Sequence, residues 1–127
     1  MEEIIRHAQA EFPLECCGLL AGTIDGKLGV VTKRYPLRNA EQSPTRFFAD
    51  EKALLQAVKD MRANSTEVLA IYHSHPTTAP FPSLTDLRSH GWPTAVALIV
   101  SLKDHPPEVR GWWLERDHYR GADWAII

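Results

Sequence analysis

The first segment of the chain repeats apolar residues at the spacing of a helix. Ile4, Ala8 and Phe12 fall on one face, and charged side chains lie opposite them. Pro13 then ends the pattern, because proline cannot continue the helical hydrogen bonds. We therefore predict an amphipathic helix over Glu2 to Glu11, just before the first strand.

The next two apolar runs predict a hairpin. Leu14 to Ala21 is apolar except for the carboxylate of Glu15, and a second β-prone run extends from Leu28 to Tyr35. Asp25-Gly26 lies between the runs and is typical of a tight hairpin turn. The pattern indicates strand, turn and strand, with one charged residue inside the first strand.

A loop, a short strand and a second helix are predicted for the middle of the chain. Residues 38–45 contain Asn, Ser and Pro and favour a loop, whereas Arg46 to Ala49 favours a short strand. Asp50 is a good N-cap for the helical pattern that follows. The expected buried stripe of that helix is Leu54, Val58 and Met61.

The second half of the chain begins with a compact β-prone run. Val68 to Tyr72 predicts an interior strand, which leads directly into His73-Ser74-His75-Pro76. After a proline-rich loop, Ser83 can cap a short helix that has Asp86 at its third position and Gly91 beyond its end. Further strands are expected over Thr94 to Ser101, Val109 to Leu114 and His118 to Trp124.

This order of helices and strands predicts an α/β fold with a single mixed sheet covered by helices, within one domain spanning residues 1–127. The 14 basic and 16 acidic residues give a net charge of −2, so nucleic acid is not the expected partner. A hydrophobic content of 44% with 24% charged residues is typical of a folded domain rather than a disordered chain.

Two further features concern the cellular compartment. The apolar run Thr94 to Leu102 is much shorter than the ~20 residues that a membrane-spanning helix needs, and the first residues do not resemble a secretory signal. Cys16 and Cys17 are adjacent, which disfavours a disulfide between them. We expect a reduced, cytoplasmic protein that does not bind a membrane.

The candidate chemistry is concentrated after the predicted interior strand. His73 and His75 are two residues apart, so in an extended backbone their imidazoles point to the same face, while Ser74 points away. The predicted short helix can present Asp86 to the same point. Two histidine nitrogens and one carboxylate oxygen are a standard zinc set that leaves one position open, as in catalytic sites. Cobalt, manganese or iron also fit this donor set.

Hydrolysis at such a site needs a base and a donor to the developing oxyanion. Glu15 is the candidate base, because a lone carboxylate in an apolar strand is costly to bury unless a metal and its water provide a partner. Ser83 is the candidate hydrogen-bond donor to the oxyanion that forms when water attacks a carbonyl group.

Each of these residues also has a simpler interpretation. A histidine pair at a strand end is often just hydrogen-bonded, and Ser83 with Asp86 forms a common capping box, which is compatible with a catalytic role. Cys16 and Cys17 are most simply small buried residues. His90 is a further ligand, a residue that hydrogen-bonds to a ligand, or, as we favour, a helix-end residue. We expect His7, His105 and His118 at the surface, Trp112, Trp113 and Trp124 in or near the core, and Trp92 beside the site.

Together, Glu15, His73, His75, Ser83 and Asp86 match the motif Glu…His-x-His-Pro-x6-Ser-x-x-Asp. With this motif, and with the segment PLECCGLLAG that starts at Pro13, the chain resembles the JAMM (MPN-plus) metalloprotease family over nearly its whole length. The resemblance implies that His73, His75 and Asp86 bind one zinc ion. It assigns Ser83 to the tetrahedral intermediate and Glu15 to acid/base catalysis. It also implies a layered α/β/α fold around a curved mixed sheet, related to the cytidine deaminases.

The resemblance also implies a class of substrate. Members of the family cleave peptide or isopeptide bonds after the C-terminal Gly-Gly of ubiquitin or ubiquitin-like proteins. The chain lacks the long insertions that grip a second ubiquitin and is similar to compact stand-alone prokaryotic members, some of which act on ubiquitin-like sulfur carriers. A Gly-Gly tail has no side chains, so we expect it to bind through its backbone, as a strand added to a sheet edge beside the metal. The oligomeric state stays open.

Three other functions are compatible with parts of the sequence. A catalytically silent MPN-type scaffold is expected to have lost some of the five polar motif positions, and none is lost here. A zinc deaminase pairs His-x-Glu with Pro-Cys-x-x-Cys, and the sequence lacks that cysteine pair. A metal-binding regulatory module would keep the same residues, so only a joint assay of metal content and turnover separates it from a hydrolase.

Overall fold

The structure is a computed structural model that describes residues 1–89, 92 and 94–126. Within these residues it contains three helices and six strands. In chain order they are α1 (Glu2–Glu11), β1 (Cys17–Asp25), β2 (Leu28–Leu37), α2 (Glu51–Ala63), β3 (Glu67–His75), α3 (Leu84–Ser89), β4 (Val96–Ser101), β5 (Glu108–Leu114) and β6 (Tyr119–Ala122). His90 and Gly91, for which a helix end is expected, lie outside the described residues.

The strands form one mixed sheet in the order β2-β1-β3-β4-β5-β6. Neighbouring strands are antiparallel except for β3 and β4, which are parallel. Parallel neighbours require a crossover connection, and the chain between these two strands includes α3. β3 is therefore an interior strand, and the predicted mixed α/β sheet is confirmed.

Helices cover both faces of this sheet. α1 packs through Ile4 and Ala8 against one face. α2 packs through Ala57 and Met61 against the other. The apolar cluster under α2 and the apolar cluster under Leu87 of α3 contain cross-strand partners, and such partners lie on one face of a sheet. Leu87 therefore packs on the same face as α2. The result is the layered arrangement of helix, sheet and helix that was expected.

Alternation along β3 divides its side chains between the two faces. Tyr72 points towards α1, where its hydroxyl lies 2.8 Å from Nδ1 of His7. Ser74 is on the same face, and its Oγ accepts a hydrogen bond of 2.8 Å from the N–H of Cys16. Ser74 thus has a structural role. His7 is half-buried beside Tyr72, so the expectation that it lies at the surface is wrong.

Two predictions of strand residues are wrong, because hydrogen bonds to loop residues replace strand pairing there. β1 begins at Cys17, so Glu15 precedes the strand instead of lying inside it. The Glu15 N–H donates to the carbonyl of Ser43, and the Glu15 carbonyl accepts from the side chain of Asn39. Arg46 to Ala49 is not a strand, since its last residue forms an isolated β-bridge with Asn39.

Other elements differ from prediction in extent. β3 continues through His75, because its parallel pairing with β4 extends to that residue. Asp50 caps α2 as predicted and accepts a hydrogen bond from the N–H of Ala53. The stripe of α2 is shifted, with Ala57 and Met61 buried and Leu54 and Val58 half-buried.

The tryptophans confirm part of the expectation for the core. Trp112 is buried and Trp113 is half-buried. Trp124 is 41% exposed, because it follows the edge strand β6, and its expected place in or near the core is wrong. Among the described residues, none of the helices combines the length and the apolar character needed to cross a bilayer.

Gly18 shows how closely β1 and β3 approach each other. Gly18 and Tyr72 are cross-strand partners, and a methyl group at Gly18 would overlap the phenol ring. Because this ring is fully buried, we expect Gly18→Ala to lower the free energy of unfolding by about 1–3 kcal/mol, the usual cost of overpacking. Urea denaturation followed by circular dichroism measures the change.

Gly121→Ala is the matched control, since Gly121 is also in a strand and a methyl group there meets no atom within 4 Å. Its free energy of unfolding should stay close to that of the wild type. Equal stability of both variants would show that the Tyr72 ring moves aside without cost.

Candidate active site

Three of the predicted site residues converge on one point. His73 and His75 lie at the end of β3, and Asp86 lies in the first turn of α3. His73 Nε2 is 3.3 Å from His75 Nε2 and 3.2 Å from Asp86 Oδ1. His75 Nε2 is 3.1 Å from Asp86 Oδ2. All three side chains are buried, so the cluster lies inside the protein.

The spacing of these atoms fits a metal ion. Ligands at the usual distances from a tetrahedral zinc ion lie about 3.3 Å from each other. The separations found here, between 3.1 and 3.3 Å, are close to that value. In the part of the chain that the structure describes, this is the group of three His, Cys, Asp or Glu residues whose donor atoms are near enough to hold one ion.

Hydrogen bonds orient the ligands. His75 Nδ1 lies 2.9 Å from the carbonyl oxygen of Ala79, so this nitrogen donates and Nε2 faces the cluster. Burial lowers the pKa of His75, but its hydrogen bonds to Asp86 and Ala79 outweigh burial and raise that pKa overall. Burial alone would raise the pKa of Asp86, yet hydrogen bonds from His73 and His75 hold it well below its ordinary value. Asp86 is therefore ionised, as a metal ligand must be.

Glu15 lies just before β1, beside the strand that carries the histidines. Cys17, at the start of β1, is the cross-strand partner of His73. The Glu15 side chain is buried, and within residues 1–89, 92 and 94–126 its Oε1 has no hydrogen-bond partner. Burial raises the pKa of Glu15 to about 8. The nearby His75 lowers this pKa and Asp86 raises it, and both effects are smaller than that of burial. A buried carboxyl group with a strongly shifted pKa, close to a ligand cluster, is suited to proton transfer.

Ser83 precedes α3 and forms reciprocal hydrogen bonds with Asp86. The Ser83 N–H donates to Asp86 Oδ2 at 2.9 Å, and Ser83 Oγ accepts from the Asp86 N–H at 3.0 Å. These are the bonds of a capping box. Ser83 is exposed and its hydroxyl proton is not used by this cap, so the hydroxyl keeps a proton to donate.

The loop of residues 77–82 is held by three successive carbonyl groups. The carbonyls of residues 78–80 accept, in order, from Ser101 Oγ at 2.5 Å, His75 Nδ1 at 2.9 Å and Trp112 Nε1 at 2.8 Å. These donors belong to β4, β3 and β5. The sheet thus fixes the loop that leads from the histidines to Ser83.

Sequence reasoning did not predict site roles for two residues of the segment 38–50. Phe47 stacks on His73, with ring centroids 4.6 Å apart and planes inclined by 23°. Asn39 is buried, and its side chain donates to the Glu15 carbonyl at 3.0 Å. Asn39 lies in the predicted loop and Phe47 in the short strand predicted over Arg46 to Ala49, and neither pattern indicates a contact with residues as distant in sequence as Glu15 and His73.

Among the described candidates, the two cysteines have no part in the cluster. Cys16 and Cys17 are free and buried, as expected, and burial raises the pKa of these thiols to about 11 and about 12. Neither thiol is an activated nucleophile, since activation requires a lowered pKa. His90, the possible further ligand, lies outside the described residues.

Comparison with known proteins identifies relatives of this chain. The sequence profile of the prokaryotic homologs of the JAB domain matches residues 1–115. The CysO-cysteine peptidase of Mycobacterium tuberculosis is 34% identical over 124 residues, which cover 97% of this chain and 79% of the relative. The desampylase of Haloferax volcanii is 31% identical over 105 residues, which cover 79% of this chain and 74% of the relative.

A solved structure agrees with these sequence relatives. The solution structure of a protein from Desulfitobacterium hafniense matches this fold with a TM-score of 0.87 and a sequence identity of 40%. The match covers 97% of this chain and 85% of the chain from Desulfitobacterium hafniense. The profile match and this similarity of both sequence and fold confirm the resemblance that the motif indicates. The chain belongs to the family of prokaryotic homologs of the JAB domain.

Proposed function

We propose that this protein is a zinc-dependent peptidase that cleaves a peptide or isopeptide bond after the C-terminal Gly-Gly of a ubiquitin-like protein of the sulfur-carrier class. One observation carries the proposal: the buried cluster of His73, His75 and Asp86 lies close to the carboxyl group of Glu15, whose Oε1 has no hydrogen-bond partner among the described residues. The names of two relatives, CysO-cysteine peptidase and desampylase, support a peptidase that acts on a protein conjugate.

His73, His75 and Asp86 would hold one metal ion per chain. This donor set of two nitrogens and a carboxylate contains no thiolate and suits zinc with an open coordination position. When bound, zinc supplies a Lewis acid that polarises a carbonyl group and lowers the pKa of water to about 7.

Glu15 would move the proton. It takes a proton from the attacking water molecule and delivers it to the leaving amine. A carboxyl group whose burial raises its pKa to about 8 holds a proton more firmly than an ordinary glutamate. Its carboxylate form is therefore a stronger base than an ordinary glutamate, and after it has taken up the proton it can act as the acid.

Ser83 would donate its hydroxyl proton to the oxygen on which negative charge develops. The Asp86 N–H already binds Ser83 Oγ and fixes its position, so little reorientation is needed when the charge forms. Its two roles are compatible because the cap uses the oxygen as an acceptor and the reaction uses the hydrogen.

The position of β3 changes the expectation for the substrate tail. The edges of the sheet are β2 and β6, whereas the histidines lie on β3, which is paired on both sides. A tail that adds as an edge strand would pair with β2 or β6, so we propose that the loop of residues 77–82 lines the path of the tail beside the metal ligands. The prolines and the three anchored carbonyls of this loop limit the entropy lost when it becomes ordered around a tail.

We further propose that residues 1–127 act as a single domain in the cytoplasm, without nucleic acid or membrane as a partner. Two observations support this proposal: Cys16 and Cys17 are free thiols, and the net charge is only −2.

His75→Ala should remove most of the bound zinc and most of the turnover, because it takes away one of three ligands. Elemental analysis of the purified protein measures the zinc content. His118→Ala is the matched control, since that histidine is exposed and outside the cluster. This variant should keep its full zinc content. Full zinc in His75→Ala would refute the ligand assignment.

Glu15→Gln should keep the zinc and lower the turnover by ~10²–10⁴-fold, the usual contribution of general acid/base catalysis. Glutamine keeps the size of the side chain and removes its ability to take up a proton. Glu67→Gln, at an exposed position of β3, is the control and should turn over like the wild type. Unchanged turnover in Glu15→Gln would eliminate Glu15 as the base. A zinc-loaded wild type without turnover would indicate a catalytically silent metal-binding module.

The substrate is tested with a folded sulfur carrier of the β-grasp type that is fused through its Gly-Gly terminus to a reporter peptide. We expect cleavage immediately after Gly-Gly, and little cleavage of the isolated C-terminal peptide, because contacts with the carrier body supply binding energy. An Ala-Ala version of the fusion should also be cut poorly. Mass spectrometry locates the cut, and equal cleavage of all three substrates would reduce the protein to a general metallopeptidase.

A further inference from the structure

We infer that Asn39 is a positioning residue that couples Glu15 to the aromatic ring covering His73. The inference rests on the proposed function, because it concerns the same reaction. Asn39 is the second residue of the non-regular segment 38–50, which connects β2 with α2. Its side chain is buried, 8% exposed, in a segment that is otherwise mostly exposed, and a polar side chain is buried there only if it is well bonded.

The amide group of Asn39 uses all of its hydrogen-bonding capacity. Its Nδ2 donates to the carbonyl of Glu15 at 3.0 Å and to the carbonyl of Arg46 at 2.9 Å. Its Oδ1 accepts from the N–H of Glu41 at 3.1 Å and from the N–H of Phe48 at 3.0 Å. A reversed amide would place oxygen against two carbonyls and nitrogen against two N–H groups, so only one orientation satisfies these partners.

Two of these bonds bracket Phe47. Arg46 and Phe48 are its immediate neighbours, and the same amide group binds the carbonyl of the first and the N–H of the second. Phe47 stacks on the ring of His73 at 4.6 Å between centroids. By fixing both flanking peptide groups, Asn39 determines where the Phe47 ring lies above the metal-ligand cluster.

The third bond acts on Glu15. The Glu15 carbonyl is bound by Asn39, and the Glu15 N–H donates to the Ser43 carbonyl at 2.8 Å, so the segment 38–50 holds this residue from both sides. Glu15 precedes the sheet and therefore lacks the pairing of a strand residue. Since no described residue forms a hydrogen bond with Glu15 Oε1, the anchored backbone carries much of the task of placing the carboxyl group.

The activity test compares Asn39→Ala with the wild type as zinc-loaded proteins acting on the carrier fusion. We expect kcat to fall about 10–100-fold, the usual effect of removing a residue that orients a reacting group, with KM and zinc content little changed. Asn64→Ala is the matched control, because Asn64 is exposed and donates to a helix carbonyl away from the site. Its kcat should equal that of the wild type.

A double variant separates positioning from a general loss of structure. If Asn39 acts through Glu15, then adding Asn39→Ala to Glu15→Gln should cost little beyond the loss caused by Glu15→Gln alone. A merely structural role would lower kcat by the same factor in both backgrounds. That additive result would overturn the inference.

Hydrogen exchange supplies a readout that does not depend on turnover. In Asn39→Ala, the amides of Glu41 and Phe48 should exchange faster, since both lose their acceptor. Asn39→Asp keeps these two acceptors but loses both donors, so it should retain the amide protection while kcat falls as in Asn39→Ala. If Asn39→Ala fails to fold, Asn39→Asp carries the test alone, and normal kcat in that variant refutes the inference.

The variants distinguish a failure of the proposed function from a failure of the role of Asn39 alone. If Glu15→Gln keeps its turnover, the assignment of the base in the proposed function fails, and this inference fails with it. If Glu15→Gln loses turnover while Asn39→Ala and Asn39→Asp keep a normal kcat, the proposed function stands and only the role of Asn39 is refuted.

Discussion

Two imidazole nitrogens and a carboxylate lie within 3.3 Å of one another in the interior, and the surrounding structure keeps that cluster in place. A buried charge is costly unless opposite charge and hydrogen bonds meet it. Asp86 meets this condition through both histidines and through the N–H of Ser83. The parallel pairing of β3 with β4 and the crossover through α3 bring these residues together from separate parts of the chain.

Peptide groups outside the regular elements hold the site as firmly as the sheet does. The carbonyls of residues 78–80 accept from three different strands, and Glu15 is held through its N–H and its carbonyl. Such bonds place loop residues with a precision that loops otherwise lack, because each fixes a peptide plane rather than a mobile side chain. The proposed catalytic groups on non-regular backbone, Glu15 and Ser83, are therefore arranged before a substrate binds.

β3 serves stability on one face and chemistry on the other. Tyr72 packs under α1, where its hydroxyl accepts from Arg34 and lies next to His7. The neighbouring His73 points to the opposite face and into the ligand cluster. One strand thus links the packing of the first helix to the position of a metal ligand, and Gly18 leaves the room that the Tyr72 ring of this strand needs.

The sequence by itself determined whatever depends on local geometry. The two-residue period of a strand puts His73 and His75 on one face, and the three-residue spacing of a capping box joins Ser83 to Asp86. Only the tertiary structure decided that Glu15 lies before β1, that residues 46–49 form no strand, and that Phe47 covers His73. The physical reason is that these features depend on hydrogen bonds and stacking between residues distant in sequence. Asn39 satisfies peptide groups that a neighbouring strand would otherwise pair, and no local pattern of apolar and polar residues records such a substitution.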